Sequence, residues 1–498
     1  MNKTEYLTRF KDYQTKCNAY SLALSTIYYD SVTIAPKKGN DYRNEMAVIL
    51  EGELYSYMNS SENIKLLEEM SKIDFDELTN KSIAQTYRHL QETCALPKDF
   101  FMKYQEATTN GYFTWQEAKL NNDYSAFAPT LKNLISLNKQ KTKYIHPEMS
   151  CYDALLDHNE PGMSVKKYDV FFDLIKTRLL PFIKKLTTEG KIIDNSILNQ
   201  SFPVSEQAKM MEILKQYMKY DPDECIMGVS EHPFTLPLSP HDARITTKYV
   251  EDNVMSSIFS IIHEYGHAQY MLHVNPEFDG SILARNMSNG MHESQSRLME
   301  NYLGKKKSFW VNNFNSLKKL FPGQLKSIEL DEFIKYINVA VPSFIRTEAD
   351  ELTYPIHILI RYEIEKAIFN EDLDCDTLEQ FWNDKMREYL GITPTDATTG
   401  ILQDVHWSEG MFGYFPTYAL GSAYAAQFFA QMEKELDVDN ILSENKFEVI
   451  REWLEKNIHT YGSSLSANEI IHKLCGCEFD PNIYLDHLIE KYTAIYNL

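Results

Sequence analysis

Along most of this chain apolar residues recur three and four apart among charged ones, the spacing of a single buried helix face. Glu62 to Glu69, Asp169 to Leu180 and Ser205 to Tyr220 show it in charged, amphipathic form, and each predicts a helix. Tyr20 to Tyr29 reads as a further, less charged amphipathic helix. Val254 to Leu272 is different. Val254 to Ile262 and Ala268 to Leu272 are largely apolar and free of proline, which predicts one buried helix with a polar pentapeptide in its middle. Ser288 or Asn289 is placed to cap another helix. Pro416 fits the first turn of one running through Tyr418 toward Gln431-Met432.

Period-two patterning is confined to one region. Arg244 to Val250 is rich in β-branched and aromatic residues and predicts a strand, with Phe234 to Leu238 as its partner across a Ser239-Pro240 turn. That period puts Asp242, Arg244 and Thr246 on one face. Asp221 to Glu231 reads as a loop.

Composition narrows the architecture. Gly and Pro number only 18 each in 498 residues, well below the usual ~7 % and ~5 %, so helices should dominate. No repeat, low-complexity run or Ser/Gly linker divides the chain. The expectation is a mostly α protein: one domain over 1–498, helical over 1–225, with its chemistry in 226–430 and closing helices over 431–498. The formal charge of −21 argues against nucleic acid as a partner. Seven scattered cysteines suggest reduced thiols in the cytoplasm, and Cys475-Gly476-Cys477 is too isolated for a metal clip. The first thirty or so residues lack a clear signal-peptide core, and no window approaches the ~18 apolar residues of a membrane span.

The polar pentapeptide is His263-Glu264-Tyr265-Gly266-His267. Residues four apart lie nearly above one another on a helix, so both imidazoles can share one metal ion. Glu264 points roughly 100° away, beside the ion, where a general base can take a proton from water. With 14 His in the chain, HExxH arises by chance in roughly 3 % of such sequences. The apolar context counts further against chance, because two histidines and a glutamate are costly in a buried helix without partners. A catalytic site needs a third protein ligand and an open position. His292, Glu293 and Glu300 are candidates, and spacing does not choose among them.

Five strings in order resemble the carboxypeptidase Taq family of metallocarboxypeptidases. They are His232-Pro233-Phe234 with Asp242-Ala243-Arg244-Ile245-Thr246; the HExxH; His292-Glu293-Ser294-Gln295; Ile345-Arg346-Thr347-Glu348-Ala349-Asp350; and Gly400-Ile401-Leu402-Gln403-Asp404-Val405-His406-Trp407. The resemblance implies a helical zincin-like body around a deep active-site groove, with the small sheet at its edge, and a homodimer. It makes Glu293 the third ligand with His263 and His267, and Glu264 the base. It also implies one zinc ion per chain, with cobalt accepted by the same donors, and exopeptidase action on peptides with a free C-terminus.

The other strings have physical readings beside it. Arg346 suits the substrate's terminal carboxylate, because guanidinium is a planar fork that keeps its charge. Its alternative is a helical pair with Asp350 worth roughly a few tenths of a kcal/mol. For Asp242, Arg244 and Thr246 it is the resemblance that implies a role, closing the groove's end; the alternative from the residues is a hairpin with a cross-strand ion pair. His406 and Tyr418, with Tyr414 in reserve, are candidate oxyanion donors. Two departures stand out. Arg297 occupies the position four after Glu293, where many such sites carry an Asp that orients the first histidine. Met299 stands where this family leads one to expect Trp. The rival functions are a related oligoendopeptidase or dipeptidase, and a non-enzymatic scaffold braced by zinc.

Overall fold

Scarce helix breakers give twenty-one α-helical segments and three short strands in the computed structural model, which describes residues 1–498. The amphipathic stretches fold as expected. Ser61–Met70 starts at Ser60, whose hydroxyl accepts from the Asn63 N–H. Asp169 to Leu180 lies within Val165–Glu189, and Val204–Tyr217 ends just before Lys219, which adopts φ 60°.

Five helices build the site: α1 (Lys3–Thr33), α2 (Val254–Leu272), α3 (Asn289–Arg297), α4 (Tyr354–Asn370) and α5 (Phe415–Glu435). Helix α2 is the apolar run carrying the pentapeptide, capped by the Asn253 side chain on the Ser256 N–H. Ser288 caps α3 through the Met291 N–H. Beyond α3 the chain continues as a π-helical stretch, Leu298–Gly304. Pro416 sits in the first turn of α5, where its missing N–H costs nothing.

The sheet has strands β1 (Cys225–Val229), β2 (Thr235–Ser239) and β3 (Asp242–Thr247), in the order β1-β3-β2. Strand β2 pairs antiparallel with β3, with Leu236 opposite Arg244, as the hairpin pattern predicts. Strand β1 lies inside the segment expected to be a loop. It pairs parallel to β3, Ile226 opposite Arg244, and makes β3 the central strand. Five residues, Cys225 to Val229, with little alternation left too short a pattern to read.

The two faces of β3 meet different helices. Thr247 turns toward α2, its hydroxyl donating to the Ser257 carbonyl at 3.4 Å. Ala243 and Ile245 share that face and are buried. The opposite face meets α1, where Tyr29 lies against the Arg244 guanidinium at 5.7 Å and Phe234 packs against Tyr28 and Tyr29.

One hydrophobic core runs from Trp115 to Tyr496 and includes all of α2's buried face. A separate, smaller core joins Tyr6, Phe10 and Tyr13 of α1 to Leu66, Leu67, Met70, Ile83 and Leu90. Side-chain hydrogen bonds tie this N-terminal layer to the body: Asn18 to the Gly280 carbonyl, Ser82 with Ser281, Gln85 to the Ser463 carbonyl and Arg88 to Asp157. No helix is long and apolar enough to cross a membrane.

Candidate metal centre and active site

Helices α2 and α3 meet backbone to backbone. A Cβ on Gly266 would lie 2.7 Å from the Gln295 carbonyl oxygen and 2.7 Å from the Ser296 Cα. On α3's other side, a Cβ on Gly421 of α5 would lie 2.5 Å from the Glu293 Cβ. Only glycine fits at either place, and the two clamp the helix carrying Glu293 between its neighbours. Gly266 is one of the two unspecified positions of the HExxH, so the motif also supplies the close approach.

This packing brings one donor atom each from His263, His267 and Glu293 within 4.8 Å of one another. Glu293 Oε2 lies 3.9 Å from His263 Nε2 and 3.8 Å from His267 Nε2. Those gaps are too long for hydrogen bonds, yet an ion with bonds of about 2 Å bridges them. Two imidazoles and a carboxylate are a donor set that suits zinc. The residues present therefore fit a divalent ion.

The other two candidate ligands lie elsewhere. Glu300 Oε2 accepts from His263 Nδ1 at 2.8 Å. A carboxylate cannot donate here, so Nδ1 carries the proton and the Nε2 lone pair is left toward the trio. The His292 ring stands beside His267 and Tyr270, at 5.6 and 5.1 Å between centroids, and is not one of the trio. Arg297 completes the arrangement. It donates to Glu293 Oε1 at 2.6 Å and to Glu300 Oε2 at 3.1 Å. The orienting carboxylate thus comes from the π-helical stretch after α3, not from the position that Arg297 occupies. Burial opposes ionisation of Glu300, but Arg297 and His263 outweigh it and hold its carboxyl well below the usual range.

Glu264 is buried, and its Oε2 accepts from the Thr235 hydroxyl of β2 at 2.6 Å. Burial holds its carboxyl above the ordinary value, against the pull of His263 and of the Thr235 bond. A buried carboxylate beside the trio is placed to act as a base toward water held there.

Arg346 does not share an α-helix with Asp350. It opens a 3-10 turn, Arg346–Glu348, and Asp350 instead accepts from the Leu352, Thr353 and Val341 N–H groups, which turns the chain into α4. Arg346 is buried and gives Nε and Nη2 to Asp404 Oδ1 at 3.0 and 2.8 Å, and Nη1 to the Tyr354 hydroxyl at 3.3 Å. Three of its five N–H groups are used, which leaves one on each terminal nitrogen. Arg297 lies over the Tyr354 ring at 4.3 Å, so Tyr354 joins Arg346 to the side chain that holds Glu293.

His406, Tyr414 and Tyr418 come together. His406 Nε2 and the Tyr418 hydroxyl are 3.3 Å apart, and the two tyrosine rings are 5.2 Å apart. Burial, reinforced by the Arg346 charge, pulls the His406 imidazole down to about 3, so it is neutral. Its neighbours in the string are pins. Trp407 donates to Glu365, and Gln403 Oε1 accepts the Arg346 main-chain N–H.

Asp242, Arg244 and Thr246 are not brought to the trio. They share a face, as expected, but it is the face toward α1, with the sheet between it and α2. Arg244 pairs with Asp242 on its own strand, Nη2 to Oδ2 at 2.7 Å, not across the hairpin. Thr246 is fully buried, and its hydroxyl accepts from Ser230 and from the Phe234 N–H. Strand period gave the face but could not say which helix covered it.

The model of the carboxypeptidase Taq (M32) metallopeptidase family matches residues 9–492. Carboxypeptidase 1 of Bacillus subtilis is 38 % identical over 497 residues, 99 % of each chain. The chain belongs to the M32 family. It is thereby a metallocarboxypeptidase. A second relative, thermostable carboxypeptidase 1 of Thermus thermophilus, is 34 % identical over 96 % of each chain. The crystal structure of an M32 carboxypeptidase from Deinococcus radiodurans superposes with a TM-score of 0.95 at 26 % identity, covering 99 % of this chain and 100 % of that one.

Within this M32 chain several contributors were not singled out from sequence. Thr235, Gly266, Arg361, Asp404 and Gly421 match no catalytic or metal-binding pattern when each is read alone. Their signal was position: Thr235 follows the first string, Gly266 sits in the second and Asp404 in the fifth.

Proposed function

We propose that this metallocarboxypeptidase removes single amino acids from the C-terminus of peptides, with zinc, one ion per chain, held by His263, His267 and Glu293. The observation that carries the reading is the short path from the trio to a cation with an open fork: Glu293 to Arg297, Arg297 on Tyr354, Tyr354 to Arg346. Arg346 holds the terminal carboxylate of the substrate through its two remaining N–H groups. That fixes the last peptide bond beside Glu264.

A divalent ion bound to these donors supplies Lewis acidity and brings the pKa of water from 15.7 to about 7. Glu264 takes the proton from the attacking water and passes it to the leaving amine. His406 and Tyr418 donate to the oxyanion that forms at the carbonyl, with Tyr414 buttressing Tyr418. Asp242, Arg244 and Thr246, together on the α1-facing side of β3, close the groove's end and limit how far the substrate extends beyond the scissile bond. The same donor set accepts cobalt. All seven cysteines are unpaired, which supports a reducing, cytoplasmic compartment. One domain over residues 1–498 and assembly as a homodimer complete the proposal.

The test is a ladder of peptides followed by mass spectrometry, each as the free acid and as the C-terminal amide, with chelator and zinc add-back. Single residues lost stepwise from the acids alone, stopped by chelator and restored by zinc, support the reading. Cleavage of acids and amides alike favours a related oligoendopeptidase and removes Arg346 from the mechanism. Metal binding without cleavage leaves a zinc-braced scaffold.

A further inference from the structure

Beneath Arg346 lies a second guanidinium that cannot reach any substrate. Arg361 of α4 is 0 % exposed. Its Nε donates to Asp404 Oδ2 at 2.7 Å, Nη1 to the His357 carbonyl at 2.8 Å and Nη2 to Gln403 Oε1 at 2.8 Å. Asp404 is therefore shared: Arg346 occupies Oδ1 and Arg361 occupies Oδ2. Two cations face one carboxylate, so the cluster carries one surplus positive charge. The next carboxylate along α4, Glu365, already accepts from Trp407, the Gly413 N–H and Tyr152.

We propose that Arg361 is a positioning residue for recognition of the substrate's terminal carboxylate, acting through Asp404 and Arg346. The proposal rests on the reading that Arg346 binds that carboxylate. Without Arg361, Arg346 and Asp404 form a closed, neutral pair, and an incoming carboxylate meets no net charge. With Arg361, Asp404 is divided between two partners, and the surplus charge appears at the one guanidinium that still has free N–H groups. A buried surplus charge is costly until it is paired, and a substrate carboxylate pairs it where an amide cannot. Arg361 also fixes direction. The Gln403 Oε1 that it holds accepts the Arg346 main-chain N–H at 2.8 Å, so the backbone that aims Arg346 is tied to the same residue.

The experiment compares zinc-loaded wild type with Arg361→Met, Arg361→Lys, Asp404→Asn and Arg346→Gln. It measures KM and kcat for a peptide acid, and Ki for the matching peptide amide as a competitive inhibitor. Arg361→Met is expected to raise the acid KM about tenfold or more while the amide Ki stays near wild type, a split that loss of packing alone does not produce. Arg361→Lys keeps the charge and recovers most of the acid preference. Asp404→Asn adds one to the cluster's charge and strengthens acid binding relative to amide. If Arg361→Met does not fold, these two variants carry the test. Acid preference unchanged in both Arg361 variants, or weakened in Asp404→Asn, overturns the proposal while Arg346→Gln still abolishes the preference. Acid preference surviving Arg346→Gln instead overturns the reading of Arg346 itself.

Discussion

Glu300 accepts from His263 Nδ1 at 2.8 Å, seven residues beyond the carboxylate that faces the same histidine's Nε2. The bond fixes both the tautomer and the ring angle of His263. Replacing Glu300 by Gln permits the ring to turn and leaves Arg297 with one anionic partner in place of two. Zinc affinity should fall by roughly 10–100-fold, read by competition with a chromophoric chelator. Unchanged affinity would show that His263 is oriented by α2 alone.

Glu264→Gln separates the base from the ligands. The amide is close to isosteric and still accepts from Thr235, so the variant should bind zinc one to one. Turnover should drop by about 10²–10⁴-fold, the contribution of a positioned base. Metal analysis alongside kinetics decides the matter. Full activity with a normal zinc content would remove Glu264 from the mechanism.

A methyl group at Gly266 or Gly421 has nowhere to go, since each meets main chain or the stem of Glu293 under 3.0 Å. Gly266→Ala and Gly421→Ala should each push α3 outward and cost about 1–3 kcal/mol in stability. Zinc affinity should fall with it, because the displaced helix carries the third donor. Gly323, with no atom close to its Cβ position, is the control: Gly323→Ala should leave zinc binding as it was.

Glu160 gives the fold a pH dependence away from the metal. Its carboxyl is buried and accepts from the Gly290 N–H and from Ser288 at the start of α3. Burial pushes it up to about 7 from 4.5, against those two hydrogen bonds. The folded state then holds the proton more tightly than the unfolded state. Its stabilising effect is complete below pH 4.5 and is lost as pH rises to about 7, a change of order 3 kcal/mol. Glu160→Gln removes the titration and keeps an acceptor. Denaturant midpoints from pH 5 to 8 should therefore fall less steeply in the variant; parallel slopes would show that Glu160 is ionised throughout.

The sequence made the metal helix legible because its apolar run and its motif coincide in one segment, Val254 to Leu272. It left the third ligand open for a physical reason. His292 and Glu293 are adjacent and Glu300 lies about two turns further on nearly the same side, and which one meets His263 Nε2 depends on how closely Gly266 and Gly421 let α3 approach. The strand pattern identified Asp242, Arg244 and Thr246 as one face, yet only the crossing of α1 shows that this face turns from α2. For Arg346 the only partner that local spacing offered was Asp350, as the alternative to a role at the substrate's carboxylate. Arg346 pairs instead with Asp404, 58 residues away, a distance that no local periodicity spans.

The small core shared by Tyr6, Phe10, Tyr13 and Leu66 to Leu90 has a consequence for how the chain comes apart. The contacts of this small core are closed within the first ninety or so residues, and the layer is held against the remainder by the polar bonds of Asn18, Ser82, Gln85 and Arg88 and by the few aromatic contacts of Tyr28 and Tyr29 with Phe234 and of Tyr55 with Phe101. Such a layer is a cooperative unit of its own, able to open at a lower free energy than the body that carries the chemistry. Unfolding of the whole chain is then a staircase of at least two steps, with amide protons of the N-terminal layer exchanging while those of α2 stay protected. A single melting temperature for this enzyme would then average two events.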